Sequence, residues 1–268
     1  MATQAAPAGL IGEFLGLARQ RELLLAWTRR DLDSRWRGTL LGPWWALVQP
    51  LFMLALYTFV FSLVLRVKFG TGDFALNLWA GLAPWMAFSE TLSRATTAIV
   101  GQPNLVKKVV FPLALLPASQ VLAAAVSLAI GLGLLVGAAG LTGQLHATAL
   151  WLPVIMALQL AFTLGLAWGL ASLGVFLRDL ASAIGLVLNA WMYLSPIVYP
   201  ASMVPEAYRG LYMLNPAAFW AEGTRNAVLA GVAPTPGMLA VQAAIAAVTL
   251  LLGFAWFMKT RRAFADVI

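Results

Sequence analysis

The sequence predicts an all-α polytopic membrane protein: six transmembrane helices, an N-terminal amphipathic interfacial helix, and paired re-entrant outer helices between spans five and six. Three observations carry this. Of 268 residues, 62% are hydrophobic and 10% charged, against about 25% charged in an average soluble domain. A soluble fold of this length exposes too much surface to hide so much apolar area. From Val109 to Leu177, 69 consecutive residues include no Asp, Glu, Lys or Arg, far more than the roughly 20 that cross a bilayer once. The basic residues, finally, are crowded into alternate segments between the apolar runs.

Residues 1–43 read as a cytoplasmic or interfacial amphipathic region and 44–268 as a single transmembrane domain. In IGEFLGLARQRELLLAWTRRDL, Phe14, Leu17, Leu24 and Trp27 fall near one helical stripe. Arg19, Arg29 and Arg30 lie largely elsewhere, and Arg21 interrupts the stripe. Such a helix lies in the headgroup plane with its arginines towards anionic lipid; the alternative is a solvated tail. The opening MATQAAPAGLIGEFLGLARQ has no basic segment ahead of an apolar one, so a cleaved signal peptide is not expected.

Spans are expected at 44–65, 74–99, 113–136, 150–176, 181–199 and 236–258. The long uncharged run is divided by GAAGLTGQLHA, where glycine and polar residues cluster. Residues 201–231 are too polar to span and too apolar for an ordinary loop. Two short amphipathic stretches, Pro205–Leu214 and Ala217–Leu229, flank Asn215-Pro216. Short helices that enter the outer leaflet and turn back meet this pattern, provided their backbone groups are satisfied. Glu206 and Arg209, like Glu222 and Arg225, are three apart, so each pair shares a helix face as an ion pair.

With the N-terminus inside, the inner segments hold Arg19, Arg21, Arg29, Arg30, Arg35, Arg37, Lys107, Lys108, Arg178, Lys259, Arg261 and Arg262. The outer ones hold Arg66, Lys68, Arg209 and Arg225. This bias and the even span number place both termini in the cytoplasm. Trp36, Trp44, Trp79, Trp151, Tyr199, Tyr208 and Tyr212 fall at expected span edges, as interfacial belts require. The formal charge of +7 is thus a matter of topology, and no nucleic-acid partner is expected.

Several chemistries are excluded. The four lysines, Lys68, Lys107, Lys108 and Lys259, never follow a glycine, so no phosphate-cradling P-loop exists. Cysteine is absent and His146, in a short outer loop, is the only histidine, which rules out a zinc site of ordinary composition. Glu90 is the only acid within an expected span, four residues before Arg94. Ion-coupled transporters typically keep ionisable groups at mid-membrane, whereas these two neutralise each other near a helix end. The energy source must lie elsewhere.

Three segments, in order, resemble a known family: RRDLDSRWRGTLLGPWWALVQPL (Arg29–Leu51), GLAPWMAFSETLSRATTAIVGQPNLVKKVVFP (Gly81–Pro112) and FLRDLASAIGLVLNAWMYLSPIVYPASMVPEAYRGLYMLNPAAFWAEGTRNAVLAG (Phe176–Gly231). They look like the permease subunit of ABC exporters for cell-surface polysaccharides, the O-antigen and teichoic-acid export family. The resemblance extends from Arg19 to the C-terminus, with Leu113–Val175 matching in hydropathy alone. It implies a multi-pass subunit of the cell inner membrane that moves a lipid-linked polysaccharide such as O-antigen and is not itself an enzyme. The implied partners are a second copy of this chain and two copies of an ATP-binding subunit. ATP and Mg are used by that partner, and no cofactor is bound by this chain. Asn104, Lys107, Lys108, Val109, Phe111 and Pro112 would belong to a coupling helix at 102–112 seated on the ATPase, which the N-terminal region also touches. Charge at Lys107 and Lys108 beside an apolar anchor suits that role; a plain basic loop is the alternative.

A polysaccharide is hydrophilic yet presents apolar C–H faces, so its conduit should combine aromatic surfaces with few fixed charges. Tyr57, Trp85, Phe88 and Tyr193 are the candidates for that wall, the alternative being aromatics that face lipid or pack between helices. Gly165-x-x-x-Gly169 is a candidate for close helix approach. Rival readings are an ABC exporter of drugs or lipids, a membrane-embedded transferase, and a passive channel.

Overall fold

The computed structural model describes residues 10–69, 73–107 and 111–268, and every element among them is helical. In order these are α1 (Leu10–Arg19), α2 (Arg21–Trp36), α3 (Trp45–Tyr57), α4 (Phe74–Ala95), α5 (Pro103–Lys107), α6 (Leu115–Leu141), α7 (Leu152–Phe176), α8 (Leu180–Tyr193), α9 (Glu206–Leu214), α10 (Pro216–Arg225), α11 (Pro236–Thr260) and α12 (Phe264–Val267). Helix α3 continues as a π-helical turn over Thr58–Val64, and α10 as another over Asn226–Ala230.

Four stretches among the described residues are long and apolar enough to cross a membrane: Leu47–Val64, Leu115–Leu141, Ala147–Phe176 and Pro236–Val267. The other two expected spans differ in kind. Helix α4 has 22 residues but carries Asn77, Ser89, Glu90, Ser93 and Arg94, and most of its length is buried against other helices. A helix wrapped by protein need not be apolar all round. Helix α8 has 14 residues, about 21 Å at 1.5 Å per residue, and ends at Tyr193 before Pro196 rather than reaching Tyr199 as expected. Helix α6 runs past the expected limit of 136 to Leu141. Glycines 137 and 140 do not break it; it stops at Thr142 and Gly143, the latter in the left-handed region at φ 70°.

Polar caps set several helix starts. Asp73 accepts from the Ala75 N–H at the head of α4, and Asn215 from the Ala217 N–H at the head of α10. Thr235 faces the Met238 N–H at the head of α11. Prolines 216 and 236 occupy first-turn positions, where a missing N–H costs nothing.

Helix α4 is the axis of the fold. It packs against α6, α7 and α10, and each neighbour satisfies a polar group. The Trp79 indole N–H donates to the Gly131 carbonyl of α6 at 2.8 Å. Gln159 of α7, buried, donates to the Pro84 carbonyl at 2.7 Å. Trp79 is therefore a buried crosspiece and not the interfacial anchor expected of it. Helices α7 and α11 meet backbone to backbone: a Cβ on Gly165 would fall on Thr249, and one on Gly253 would fall on Gly165. Gly169 has open space around it. The glycine pair that permits close approach is thus Gly165 with Gly253 across the interface, not Gly165 with Gly169.

The stretch from Pro200 to Gly231 folds back on the body, and its most connected polar residue is one arginine. Arg225, buried, donates through Nε to the Asn77 carbonyl at 2.8 Å and through its terminal nitrogens to the Pro196 and Ile197 carbonyls. It also pairs with Glu222 at 2.8 Å and lies over the Phe69 ring. Glu222 in turn accepts from the Ala201 N–H. Burial lowers the Arg225 pKa from its usual value, and the Glu222 carboxylate acts in the opposite direction. Gly81 makes room, since a Cβ there would meet this guanidinium and the Ile197 carbonyl. Glu206 and Arg209 form the second expected pair at 3.5 Å, exposed on α9. Asn215 completes the arrangement by accepting from Trp191 and donating to Ser195.

Two predictions follow from this packing. Gly165→Leu should lower the thermal stability of the detergent-solubilised protein by about 1–3 kcal/mol through overpacking, while Gly169→Leu should leave it near wild type. Arg225→Met leaves three carbonyls without their buried donor and the half-buried Glu222 carboxylate without its cation, with an expected cost of about 3–5 kcal/mol. Arg209→Met, at an exposed pair, should change the melting temperature little.

Candidate transport site

A cavity of about 510 Å³ lies between α3, α4, α6 and α8. Along α4 it extends from Trp79 to Arg94, about 22 Å at the rise of an α-helix. Its walls mix aromatic faces with hydrogen-bonding groups: Trp45 and Gln49 from α3, Trp85 and Ser89 from α4, Ser127 from α6, Asn189 from α8. Gly131 and Gly185 also line it. Such a surface can stack against a sugar ring and exchange hydrogen bonds with its hydroxyls without a net charge to trap it.

At the α5 end of α4, four charges meet at the cavity wall. Arg35 of α2 pairs with Glu90 at 3.1 Å and with Asp31 at 3.5 Å, and Arg94 pairs with Asp31 and stands 3.9 Å from Glu90. Arg35 also reaches Ser127 of α6 at 3.4 Å. The Arg35 side chain is 5% exposed and Asp31 14%. Two arginines and two carboxylates balance, so the cluster adds no net charge. The sequence singles out Glu90 and Arg94 as a mutual pair; the shorter contacts are the cross-helix ones to Asp31 and Arg35. The signal available was the i, i+4 spacing of Asp31 and Arg35, which matches that of Glu90 and Arg94.

The four aromatic candidates divide. Trp85 lines the cavity. Phe88 is 1% exposed and sits in a ring cluster with Trp85, Trp191, Trp220 and Phe162 at centroid distances of 5.1–6.2 Å. That cluster ties α4 to α7, α8 and α10 behind the cavity wall, so Phe88 packs between helices. Tyr57, half-buried beside Phe61, and Tyr193, exposed, lie outside the cavity walls. The wall residues that sequence reasoning missed, Trp45, Gln49 and Asn189, are ordinary residues of apolar runs. Nothing in their spacing marks them.

The expected coupling segment contains α5, a helix of five residues, with Asn104 and Lys107 exposed. Lys108 and Val109 lie outside the described residues. Phe111, with Pro112 half-buried beside it, packs edge-on against Trp27 of α2 at 5.2 Å. Its ring is therefore engaged within this chain, and the exposed face of α5 is Pro103, Asn104 and Lys107. The N-terminal stripe is partly covered by protein. Phe14 packs on Trp168 and Phe254, Leu17 and Trp27 join the same cluster, and Glu13 pairs with Arg261 at 2.8 Å. A break at Gln20 separates α1 from α2, which accommodates Arg21, the residue that interrupts the stripe.

Relatives match over nearly the whole chain. An O-antigen export system permease protein RfbA of Myxococcus xanthus is 30% identical over 255 residues, 94% of this chain and 97% of the relative. One of the same name from Klebsiella pneumoniae is 27% identical over 253 residues, 92% and 95% of the two chains. The polysialic acid transport protein KpsM of Escherichia coli is 24% identical over 249 residues, 92% and 96%. Residues 22–229 match the ABC-2 type transporter family, a region that contains the cavity, the charge cluster, α5 and the Arg225 clamp. The chain is a member of the ABC-2 type transporter membrane family.

Proposed function

We propose that this chain is the transmembrane subunit of an ATP-driven exporter that moves a polysaccharide, lipid-linked as in O-antigen assembly, across the cytoplasmic membrane. The observation that carries this reading is the near full-length similarity to permeases named for O-antigen and polysialic acid transport. The cavity supports it chemically: tryptophan faces, amides and hydroxyls line a space about as long as most of a membrane-spanning helix segment. With no Gly-Lys step in the sequence, ATP and Mg are handled by a separate ATP-binding subunit. Two copies of that subunit would serve a homodimer of this chain.

In this reading α4 and α8 are the second and fifth of six spans, and both termini face the cytoplasm. Protein neighbours cover the polar face of α4, and α8 extends its reach through the turns that follow Tyr193. Residues 201–231 form the re-entrant element of the outer leaflet, held to the body by Arg225. Helix α5 lies on the cytoplasmic side and meets the ATPase through Asn104 and Lys107, with Lys108 and Val109 continuing the contact and Phe111 and Pro112 tying it back to α2. Trp85 with Trp45, Gln49 and Asn189 forms the conduit wall, while Tyr57 and Tyr193 flank it.

Two measurements test this. The purified chain should show no ATP turnover, and surface polysaccharide should disappear from cells when the gene for the ATP-binding partner is deleted. ATP hydrolysis by this chain alone would overturn the assignment. Gln49→Lys and Asn189→Lys each place a fixed cation in the cavity, and polymer export should fall severalfold with membrane insertion unaltered. Asn104→Ala/Lys107→Glu should weaken co-purification of the ATPase and export in parallel. Labelling of Lys107 only from the extracellular side would contradict the orientation.

A further inference from the structure

On one face of α2, Trp27, Asp31 and Arg35 recur every four residues, and all three touch the segment that carries α5. Trp27 lies against Phe111, just beyond α5. Asp31 pairs with Arg94, and Arg35 with Glu90, just before it. Helix α2 is thus fastened to both sides of the same excursion of the chain. Between Arg94 and α5 the backbone is hydrogen-bonded turn by turn: Thr97 to Arg94, Ala98 to Ala95, Gly101 to Thr97, Gln102 to Ile99 and Leu105 to Gln102. No stretch of free loop separates the charge cluster from α5. Thr96, in the middle, presses its carbonyl on α7 where only glycine fits, since a Cβ on Gly174 would fall on it. Ala98 and Ile99 are buried beside Ala171 and Val175 of α7.

We propose that residues 94–107 form a stiff lever that bears on α7 at Thr96 and Gly174, and that the Asp31–Arg94 and Arg35–Glu90 pairs transmit its movement to α2 at the cavity's end. A displacement of α5 cannot be absorbed by slack in residues 96–102. It rocks about the contact with Gly174 and shifts the guanidinium of Arg94, which drags Asp31. Because Arg35 and Glu90 form part of the cavity wall, the same movement changes the opening there. Ion pairs suit such a joint because their attraction falls off gradually with distance and so tolerates small changes in length. The proposal rests on α5 being the ATPase contact, as inferred above.

The test is charge exchange in the complete complex with its ATPase, read as polysaccharide exported per ATP hydrolysed. Asp31→Arg and Arg94→Asp should each lower that ratio at least about tenfold, and the double exchange should restore it to within about threefold of wild type. Residues that merely help the chain fold would lower export and ATP turnover together and leave their ratio near wild type, so the ratio separates the two roles. Should either single exchange fail to accumulate, Asp31→Cys/Arg94→Cys serves instead, the natural chain being free of cysteine. With the thiols free, polysaccharide exported per ATP should fall at least about tenfold, a short reversible thiol crosslinker across this pair should restore it, and reduction should abolish it again. Export per ATP that is unchanged with the thiols free or no higher once they are crosslinked, or a double exchange no better than the singles, would overturn the lever. If neither wild type nor variants export polysaccharide while ATPase binding at α5 persists, the substrate assignment fails and the joint is judged by ATP turnover with and without the crosslinker.

Discussion

Polar groups carried into an apolar environment must find partners within the protein, and α4 is where this chain meets that demand most fully. At one end the Asn77 carbonyl receives Arg225. Near the middle Gln159 reaches the Pro84 carbonyl, and Trp79 donates outward to Gly131. At the other end Glu90 and Arg94 are met by Arg35 and Asp31. These partners come from four different elements, so satisfying one helix specifies the placement of α2, α6, α7 and α10. The cavity exists because α4 is held from several sides by directional contacts while its remaining face is left to Trp85, Ser89 and Ser93.

The two ends of α4 differ in their physical character. The Arg225 clamp is dry: a guanidinium buried among three carbonyls, one carboxylate and an aromatic ring has little freedom to rearrange. The charge cluster at the other end is partly open, with Glu90 44% exposed, so water can replace one partner when another departs. Helix α4 thus has a fixed joint at its Asn77 end and an adjustable one at its α5 end.

The aromatic residues serve two separate purposes. Phe88, Phe162, Trp191 and Trp220 form a continuous edge-to-face cluster that replaces the hydrophobic driving force lipid cannot supply between helices. Trp45 and Trp85 present faces to the cavity. Composition does not separate these roles, because a tryptophan packed between helices and one lining a conduit occupy equally apolar runs.

Membrane residence, the absence of a nucleotide-binding loop and family membership were legible in residue order alone, because each depends on composition or on local motifs. The helical pairs Glu206–Arg209 and Glu222–Arg225 were legible too, since a spacing of three settles proximity on a helix. The joining of Asp31 to Arg94 across 63 positions, the meeting of Gly165 with Gly253, the burial of Trp79 and Phe88, and the engagement of Phe111 by Trp27 were decided by tertiary structure. These depend on which helix faces which. A uniformly apolar helix does not encode that choice in its hydropathy, because lipid and protein neighbours favour the same residue types.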